Sequence, residues 1–214
     1  PRKILSRIKK LPHLEFIMLM ALMTSILALS IDCMLPAFND ITADLKLNNA
    51  KDIQLIVSFM FLGLGVGKLF FGPIADGFGR RPVVLLGFGT YIVGCLISFF
   101  SQSLDIMLLG RVLQGFGVAG PANITMVLVR DLYKGREMAR IMSYIMAVFI
   151  MVPVLAPGIG LAIITISNWR VIFLFFWMTG ILISIWFFLR QEETLLPENR
   201  KKTSLANFLA TIVQ

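Results

Sequence analysis

Charged residues are scarce in this chain, and acidic residues are the scarcer kind. Only 15% of its 214 residues are charged and only 12 are Asp or Glu, whereas 57% are hydrophobic. Soluble globular domains carry about 25% charged residues, and disordered chains require low hydrophobicity. The composition therefore excludes both an ordinary soluble domain and a disordered segment.

Residues and motifs of metal sites and hydrolases are also missing. The single histidine, His13, has no second ligand at a suitable spacing, and the two cysteines, Cys33 and Cys95, lie within apolar runs. We interpret these cysteines as reduced packing residues. The sequence has no GxSxG, HExxH or Walker A motif, which argues against a hydrolase or an ATP-driven pump. We therefore expect no enzyme activity, no metal and no cofactor.

Long apolar runs are what the sequence does contain. A helix that crosses a bilayer needs about 20 apolar residues, and six runs reach this length. They cover approximately 15–38, 53–75, 82–101, 106–128, 139–165 and 169–190. The sequence thus predicts an all-α membrane protein with six transmembrane helices, embedded in a lipid bilayer.

The remaining segments are a tail at 1–14 and a linker at 191–214. Apolar residues repeat at helical spacing near the end of the linker, which is typical of an interfacial amphipathic helix. They are Leu205, Phe208, Leu209 and Ile212.

Basic residues are distributed according to the side of the membrane. Of the 20 Lys and Arg residues, 15 fall in the tails and alternate loops on one side, three fall in the opposite loops and two lie within spans. Cytoplasmic loops are enriched in Lys and Arg, so both termini are predicted to be cytoplasmic. The net charge of +8 follows this topology, and we expect no nucleic acid as a partner.

Three ionisable residues, Asp32, Lys68 and Arg111, lie within predicted spans, where each costs at least a few kcal/mol. At 1.5 Å per residue, Asp32 and Arg111 both lie roughly 8–9 Å below the outer surface. We therefore expect them to pair, or to compete for a proton, beside an aqueous cavity. A purely structural ion pair is the alternative. We favour a functional role because only Asp32 can change its protonation near neutral pH.

Small and polar residues share the helix face of Arg111. Such a face either packs closely on a neighbouring helix or lines a cavity, and the Arg and Gln favour a cavity wall. The members of this face are Gln114, Gly115, Val118, Ala122 and Thr125. Asn123 points away from it and is expected to form an interhelical hydrogen bond.

Lys68 lies about seven residues from the inner end of the second span. Its long stem would allow the ammonium group to reach the cytoplasmic interface, with contact to a substrate or anion as the alternative. In the same span, Gly63 and Gly67 are spaced four apart, which predicts a close helix contact.

The short loop between the second and third spans reads GPIADGFGRRP at 72–82. We expect a tight cytoplasmic reversal in which Gly77 and Gly79 permit positive φ. Asp76 is placed to accept from the free N–H groups of the next helix or to pair with Arg80 or Arg81.

This loop resembles the signature of the major facilitator superfamily, in which Gly is followed by Asp four residues later and then by Gly-Arg-Arg. LGRVLQGFG at 109–117 resembles the fourth-span motif of its proton-coupled members, and PVLAPGIG at 153–160 resembles the fifth-span antiporter motif. DCMLPA at 32–37, together with Trp169 and Arg170, is similar to the bicyclomycin/chloramphenicol-resistance type of drug:proton antiporter.

The resemblance implies one half, the N-terminal half, of a twelve-helix transporter, with its six helices arranged as two inverted three-helix repeats. A C-terminal six-helix half or a second chain would then complete the transporter. The implied activity is export of drugs or small amphipathic molecules in exchange for protons, by alternating access in the inner (plasma) membrane.

The resemblance also implies roles for individual residues. Asp32 would bind the proton or a cationic substrate, Arg111 would be its charge partner, and Gln114 would supply a hydrogen bond in the cavity. An inner conformational latch would comprise Gly72, Asp76, Gly79, Arg80 and Arg81. Pro153, Pro157 and Gly158 would shape the fifth-span interface, and Lys68 and Asn123 are candidate substrate contacts.

Two alternatives remain. A proton-coupled uptake symporter of the same fold would share the loop signature but usually lacks the fifth-span motif. An oligomeric channel or membrane scaffold would conduct passively or not transport at all.

Overall fold

The computed structural model describes residues 11–47, 49 and 51–195, and the regular structure within these residues is entirely helical. In chain order the helices are α1 (His13–Asp32), a 3₁₀ helix (Leu35–Ala37), α2 (Phe38–Asp44), α3 (Asp52–Phe78), α4 (Arg80–Phe99), α5 (Leu104–Leu132), α6 (Gly135–Ile166) and α7 (Arg170–Arg190). The amphipathic repeat predicted at 205–212 lies outside the described residues.

Six candidate spans are present in the described part of the chain, which confirms the predicted number. The first comprises α1, the 3₁₀ helix and α2 (His13–Asp44), and each of α3 to α7 is one further span. Each predicted span overlaps one of these, although the observed first, second, fourth and fifth spans are longer at both ends.

The first span departs from α-helical geometry between α1 and α2. Pro36 has no N–H group, so it cannot donate to the carbonyl of Asp32 as an α-helix would require. The N–H of Met34 donates to Ile31, three residues back, at 3.2 Å. The carbonyl of Ser30, four residues back, therefore loses its usual helical donor.

Helix α5 lies at the centre of the bundle and approaches its neighbours through glycines. A Cβ atom on Gly63 of α3 would lie 2.1 Å from the carbonyl oxygen of Val112, and one on Gly67 would lie 2.7 Å from that of Phe116. This confirms the predicted close contact of Gly63 and Gly67. On the α4 side, a Cβ on Gly117 would lie 2.4 Å from the backbone nitrogen of Tyr91.

The helix pairings follow the predicted inverted repeats with one exception. In the two repeats, α1, α3 and α4 correspond in order to α5, α6 and α7. The contact of α3 with α5 therefore corresponds to that of α6 with α1, and the contact of α4 with α7 corresponds to itself. The extensive contact of α4 with α5 has as its counterpart the seam between α7 and α1, where the two helices contact each other far less. The two repeats therefore differ most at this seam.

Two polar clamps join the first span to α7, one at each end of the seam. In the first, Glu15 accepts from Nε of Arg190 at 2.5 Å and from the indole N–H of Trp186 at 3.2 Å. In the second, Asp44 accepts from Nη1 of Arg170 at 2.5 Å and from the indole N–H of Trp169 at 3.2 Å. We call these the Glu15 clamp and the Asp44 clamp.

Candidate functional site

Arg111 is the most deeply buried charged residue that the described part of the chain contains, with 0% of its surface exposed. Its guanidinium donates from Nη2 to the carbonyl oxygen of Ser30 in α1 at 3.1 Å, and from Nε to that of Ile56 in α3 at 3.2 Å. Nη1 donates to the side-chain oxygen of Gln114 at 2.7 Å. These three bonds offset the cost of burying the charge and join α5 to α1 and α3.

Side chains of α4 extend this polar network. The amide nitrogen of Gln114 donates to the hydroxyl of Ser98 at 3.2 Å. The hydroxyls of Tyr91 and Ser30 lie 2.7 Å apart and form a hydrogen bond. The network therefore links all four helices of this region through groups that lie out of contact with water.

The helix face of Arg111 is packed in the described structure. Gln114, Val118 and Thr125 are fully buried, and a Cβ on Gly115 would lie 1.9 Å from the carbonyl oxygen of Met60. The expectation of a cavity wall is therefore wrong for this half of the fold. The helix face instead packs closely on its neighbours, which is the alternative that the sequence leaves open. The polar groups on this face bond to neighbouring helices rather than facing water.

The expected pair of Asp32 with Arg111 does not form among the described residues. The two lie at similar depth, as predicted, because Arg111 bonds to the backbone only two residues from Asp32. Two residues are roughly 200° of rotation apart on a helix, so a similar depth does not bring the Asp32 side chain to Arg111. The guanidinium instead donates to the Ser30 carbonyl, which the break in the first span leaves free. The carboxylate of Asp32 is partly exposed and has no hydrogen bond or ion pair within the described part of the chain.

A single residue, Gly79, connects α3 to α4. It adopts φ of 111°, a conformation that residues with a side chain rarely adopt. The sequence also predicts positive φ at Gly77, but Gly77 lies within the last turn of α3 and does not adopt it. The reversal is therefore tighter than expected, and it holds the ends of the two helices side by side.

Charged side chains surround this reversal. Asp76 accepts from Nη1 of Arg80 at 2.7 Å, as the sequence predicts, and Nε of Arg80 lies 3.7 Å from a carboxylate oxygen of Asp131 at the end of α5. Of the other latch candidates, Gly72 faces open space. The Asp76, Arg80 and Asp131 groups join the ends of α3, α4 and α5.

The free N–H groups at the start of α4 bond to Glu193 rather than to Asp76. The two carboxylate oxygens of Glu193 accept from the backbone nitrogens of Arg80 and Arg81, each at 2.9 Å. The guanidinium of Arg81 lies 4.3 Å from the ring centre of Phe188 and donates to the carbonyl of that residue. The segment after α7 is thereby attached to the predicted latch.

Lys68 and Asn123 lie together, away from the Arg111 network. Asn123 donates to the backbone carbonyl of Lys68 at 3.4 Å, which is an interhelical hydrogen bond between α5 and α3. The Lys68 side chain is exposed. The two candidates are therefore joined by a hydrogen bond to the backbone of Lys68, in which the Lys68 side chain takes no part.

The fifth-span motif lies within α6, which continues through Pro153 and Pro157. A Cβ on Gly158 would meet no atom, whereas one on Gly160 would lie 1.9 Å from the carbonyl oxygen of Cys33. Of these two motif glycines, Gly160 is therefore the one that permits close packing, and it does so at the break in the first span.

Sequence reasoning missed Ser30, Tyr91, Ser98 and Glu193. The hydroxyl groups within otherwise apolar spans were a signal for the first three, because a polar group in a bilayer needs a partner. Glu193 gave no such signal, since it lies in a polar segment more than 100 residues from its partners.

The family model described as Major Facilitator Superfamily matches residues 20–212. The chain belongs to this superfamily. It is 32% identical over 185 residues to a protein named bicyclomycin resistance protein homolog from Haemophilus influenzae, a match that covers 86% of this chain and 46% of that protein. It is 29% identical over 167 residues to multidrug resistance protein D from Escherichia coli, covering 78% and 42%.

Solved structures show the same fold. A D-xylose-proton symporter matches with a TM-score of 0.73 at 12% sequence identity, over 94% of this chain and 52% of the symporter. This superfamily member thus spans about half the length of the relatives it matches.

Proposed function

We propose that this chain is the N-terminal half of a drug:proton antiporter that exports small amphipathic molecules by alternating access. The observation that carries the proposal is the Arg111 network, in which each guanidinium nitrogen donates a hydrogen bond, beside the carboxylate of Asp32, which has no partner among the described residues. A buried polar network whose members are hydrogen-bonded makes the packing rigid, which favours a scaffold role for Arg111, whereas a carboxylate without a partner at membrane depth can accept a proton or a cation.

The roles of the two residues follow from these contacts. Arg111 and Gln114 hold the broken first span against α3, α4 and α5, and this places Asp32 at a defined position on the break. Proton binding and cationic-substrate binding at Asp32 exclude each other, because both require the same carboxylate. Such competition couples export of substrate to entry of protons.

The residues around Gly79 form the proposed latch. The bonds of Asp76 with Arg80, and of Glu193 with the start of α4, hold the ends of several helices together on one side of the bundle. We propose that this side is cytoplasmic and that these bonds stabilise one of the two conformations of alternating access. The names of the relatives above support a drug as the substrate.

The experiment measures transport in proteoliposomes that contain the protein together with its C-terminal half, with ethidium as a cationic probe. For an antiporter, an acidic lumen drives ethidium inward, and Asp32→Asn abolishes this uptake. Asp105→Asn, which alters an exposed carboxylate at the start of α5, is the matched control and should retain it.

Other outcomes distinguish the alternatives. Uptake driven by an acidic exterior identifies a symporter, and non-saturable flux that no pH gradient drives identifies a channel. Full exchange by Asp32→Asn would place the coupling group elsewhere in the protein.

A further inference from the structure

An apolar cavity of about 240 Å³ lies between α1, α6 and α7. It occupies the loosely packed seam between α7 and the first span. Its lining is apolar apart from the hydroxyls of two residues, Ser25 and Thr179, and includes Leu22, Leu29, Val152 and Phe175. The cavity is separate from the Arg111 network, whose side chains do not line it.

Ser25 is the unusual member of this lining. It is 2% exposed, and its hydroxyl oxygen has no hydrogen-bond partner in the part of the chain that the structure describes. Serines in helices commonly donate to a carbonyl four residues back, as Ser30 does to Ile26 at 2.7 Å. Thr179 likewise donates to Phe175 at 2.8 Å. Ser25 is therefore the lining residue with an unused hydrogen-bonding group, and burying such a group costs about 1–3 kcal/mol.

The arrangement of the helices keeps the cavity open. At the counterpart of this seam, α4 and α5 close on each other through glycines, with a Cβ on Gly87 lying only 2.6 Å from the carbonyl oxygen of Gly117. Helix α1 contains no glycine, so it cannot approach α7 in the same way. The Glu15 clamp and the Asp44 clamp hold the two ends of the seam together, and the gap remains between them.

The position and chemistry of the cavity restrict what can enter. Ser25 lies twelve residues into α1, or roughly 18 Å from its start, which is near the middle of a bilayer core of about 30 Å. The lining has no ionisable side chain, so a charged molecule would find no partner there. Apolar cavities of about 150 Å³ bind benzene, so this larger one can hold a small aromatic molecule.

We propose that this cavity is a binding site for a small, uncharged and mainly apolar molecule that accepts one hydrogen bond from the hydroxyl of Ser25. Burial of the apolar body supplies most of the affinity, and Ser25 determines the orientation of the bound molecule. Its lining residues all belong to this six-helix half, and binding there does not depend on proton coupling or export.

The test is photolabelling of the purified protein in nanodiscs with an aryl diazirine that carries one hydroxymethyl group. We expect saturable labelling of peptides from α1, α6 and α7 that line the cavity. Thr179→Phe, which fills the cavity, should abolish the saturable component. Thr90→Phe, which places the same ring on α4 outside the cavity, should leave it unchanged.

Ser25→Ala tests the hydrogen bond without filling the cavity. We expect the half-saturating probe concentration to rise about fivefold, the effect of losing one ordinary hydrogen bond. Ser184→Ala is the control, because that hydroxyl donates within α7 at 2.9 Å and does not line the cavity. Labelling that does not saturate, or that survives Thr179→Phe in a protein that elutes and melts like the original, would overturn the proposal.

Discussion

The guanidinium of Arg111 donates to the backbone carbonyl of Ser30 at 3.1 Å, at the point where the first span leaves α-helical geometry. Pro36 makes this carbonyl available, since it removes a backbone donor and shifts the preceding hydrogen bonds by one residue. A sequence feature of one helix thus determines the partner of a charge on another.

Replacing Arg111 with Met should destabilise the bundle. The carbonyls of Ser30 and Ile56 and the amide oxygen of Gln114 would each lose the hydrogen bond that Arg111 donates, and hydrogen bonds to charged groups are worth about 1.5–3 kcal/mol each. We expect a net loss of at least about 2 kcal/mol, read as a lower melting temperature of the purified protein. Arg136→Met, on an exposed position of α6, should melt like the original, and an equal effect of both variants would contradict the network's structural role.

Two glycines in α3 should respond in opposite ways to the same substitution. Gly63→Ala places a Cβ 2.1 Å from the Val112 carbonyl oxygen, so α3 and α5 must separate, at a cost of about 1–3 kcal/mol. Gly65→Ala meets no atom and should be neutral or stabilising by up to about 1 kcal/mol. Thermal unfolding of the two variants side by side gives the comparison, and similar melting of both would show that the helices do not approach so closely.

Glu193→Ala should loosen the start of α4. The carboxylate accepts from the first two backbone N–H groups of that helix, and losing such a cap costs about 1 kcal/mol. Hydrogen exchange at Arg80 and Arg81 should then accelerate by roughly fivefold. Glu137→Ala, at the exposed first turn of α6, is the control, and unchanged exchange in Glu193→Ala would remove Glu193 from the proposed latch.

The orientation in the membrane can be tested by labelling single cysteines in intact cells. The native thiols, Cys33 and Cys95, are buried, so background labelling should be low. We expect an impermeant maleimide to modify Lys51→Cys but to modify Arg136→Cys only after the cells are opened. The reverse pattern would invert the orientation derived from the basic loops.

The spans and the close contacts of α3 could be predicted from sequence because both depend on local periodicity. Gly63 and Gly67 are spaced to share a helix face, and this face can be recognised in the sequence without knowing which helix packs against it. The partner of Arg111 could not be predicted in this way. Depth along a helix gives the correct level, but the choice between Asp32 and the Ser30 carbonyl depends on rotation about the helix axis and on the break in the first span that leaves this carbonyl free.

Glu193 illustrates a second limit of sequence reasoning. Its position after α7 becomes informative only when the contact of α7 with α4 brings it to the start of α4. Apolar periodicity says nothing about a polar residue in a connecting segment. Of the two bonds predicted for Asp76, it therefore makes the one with Arg80, and Glu193 makes the one with the free N–H groups of α4.

The two clamps between the first span and α7 also order events during synthesis. Asp44 and Arg170 are 126 residues apart, and Glu15 and Arg190 are 175 apart. At a translation rate of roughly 5–20 residues per second, Arg190 is synthesised about 10–35 s after Glu15. During that interval the emerging first span carries unneutralised carboxylates near both of its ends, so the insertion machinery or lipid headgroups must accommodate them until α7 is synthesised.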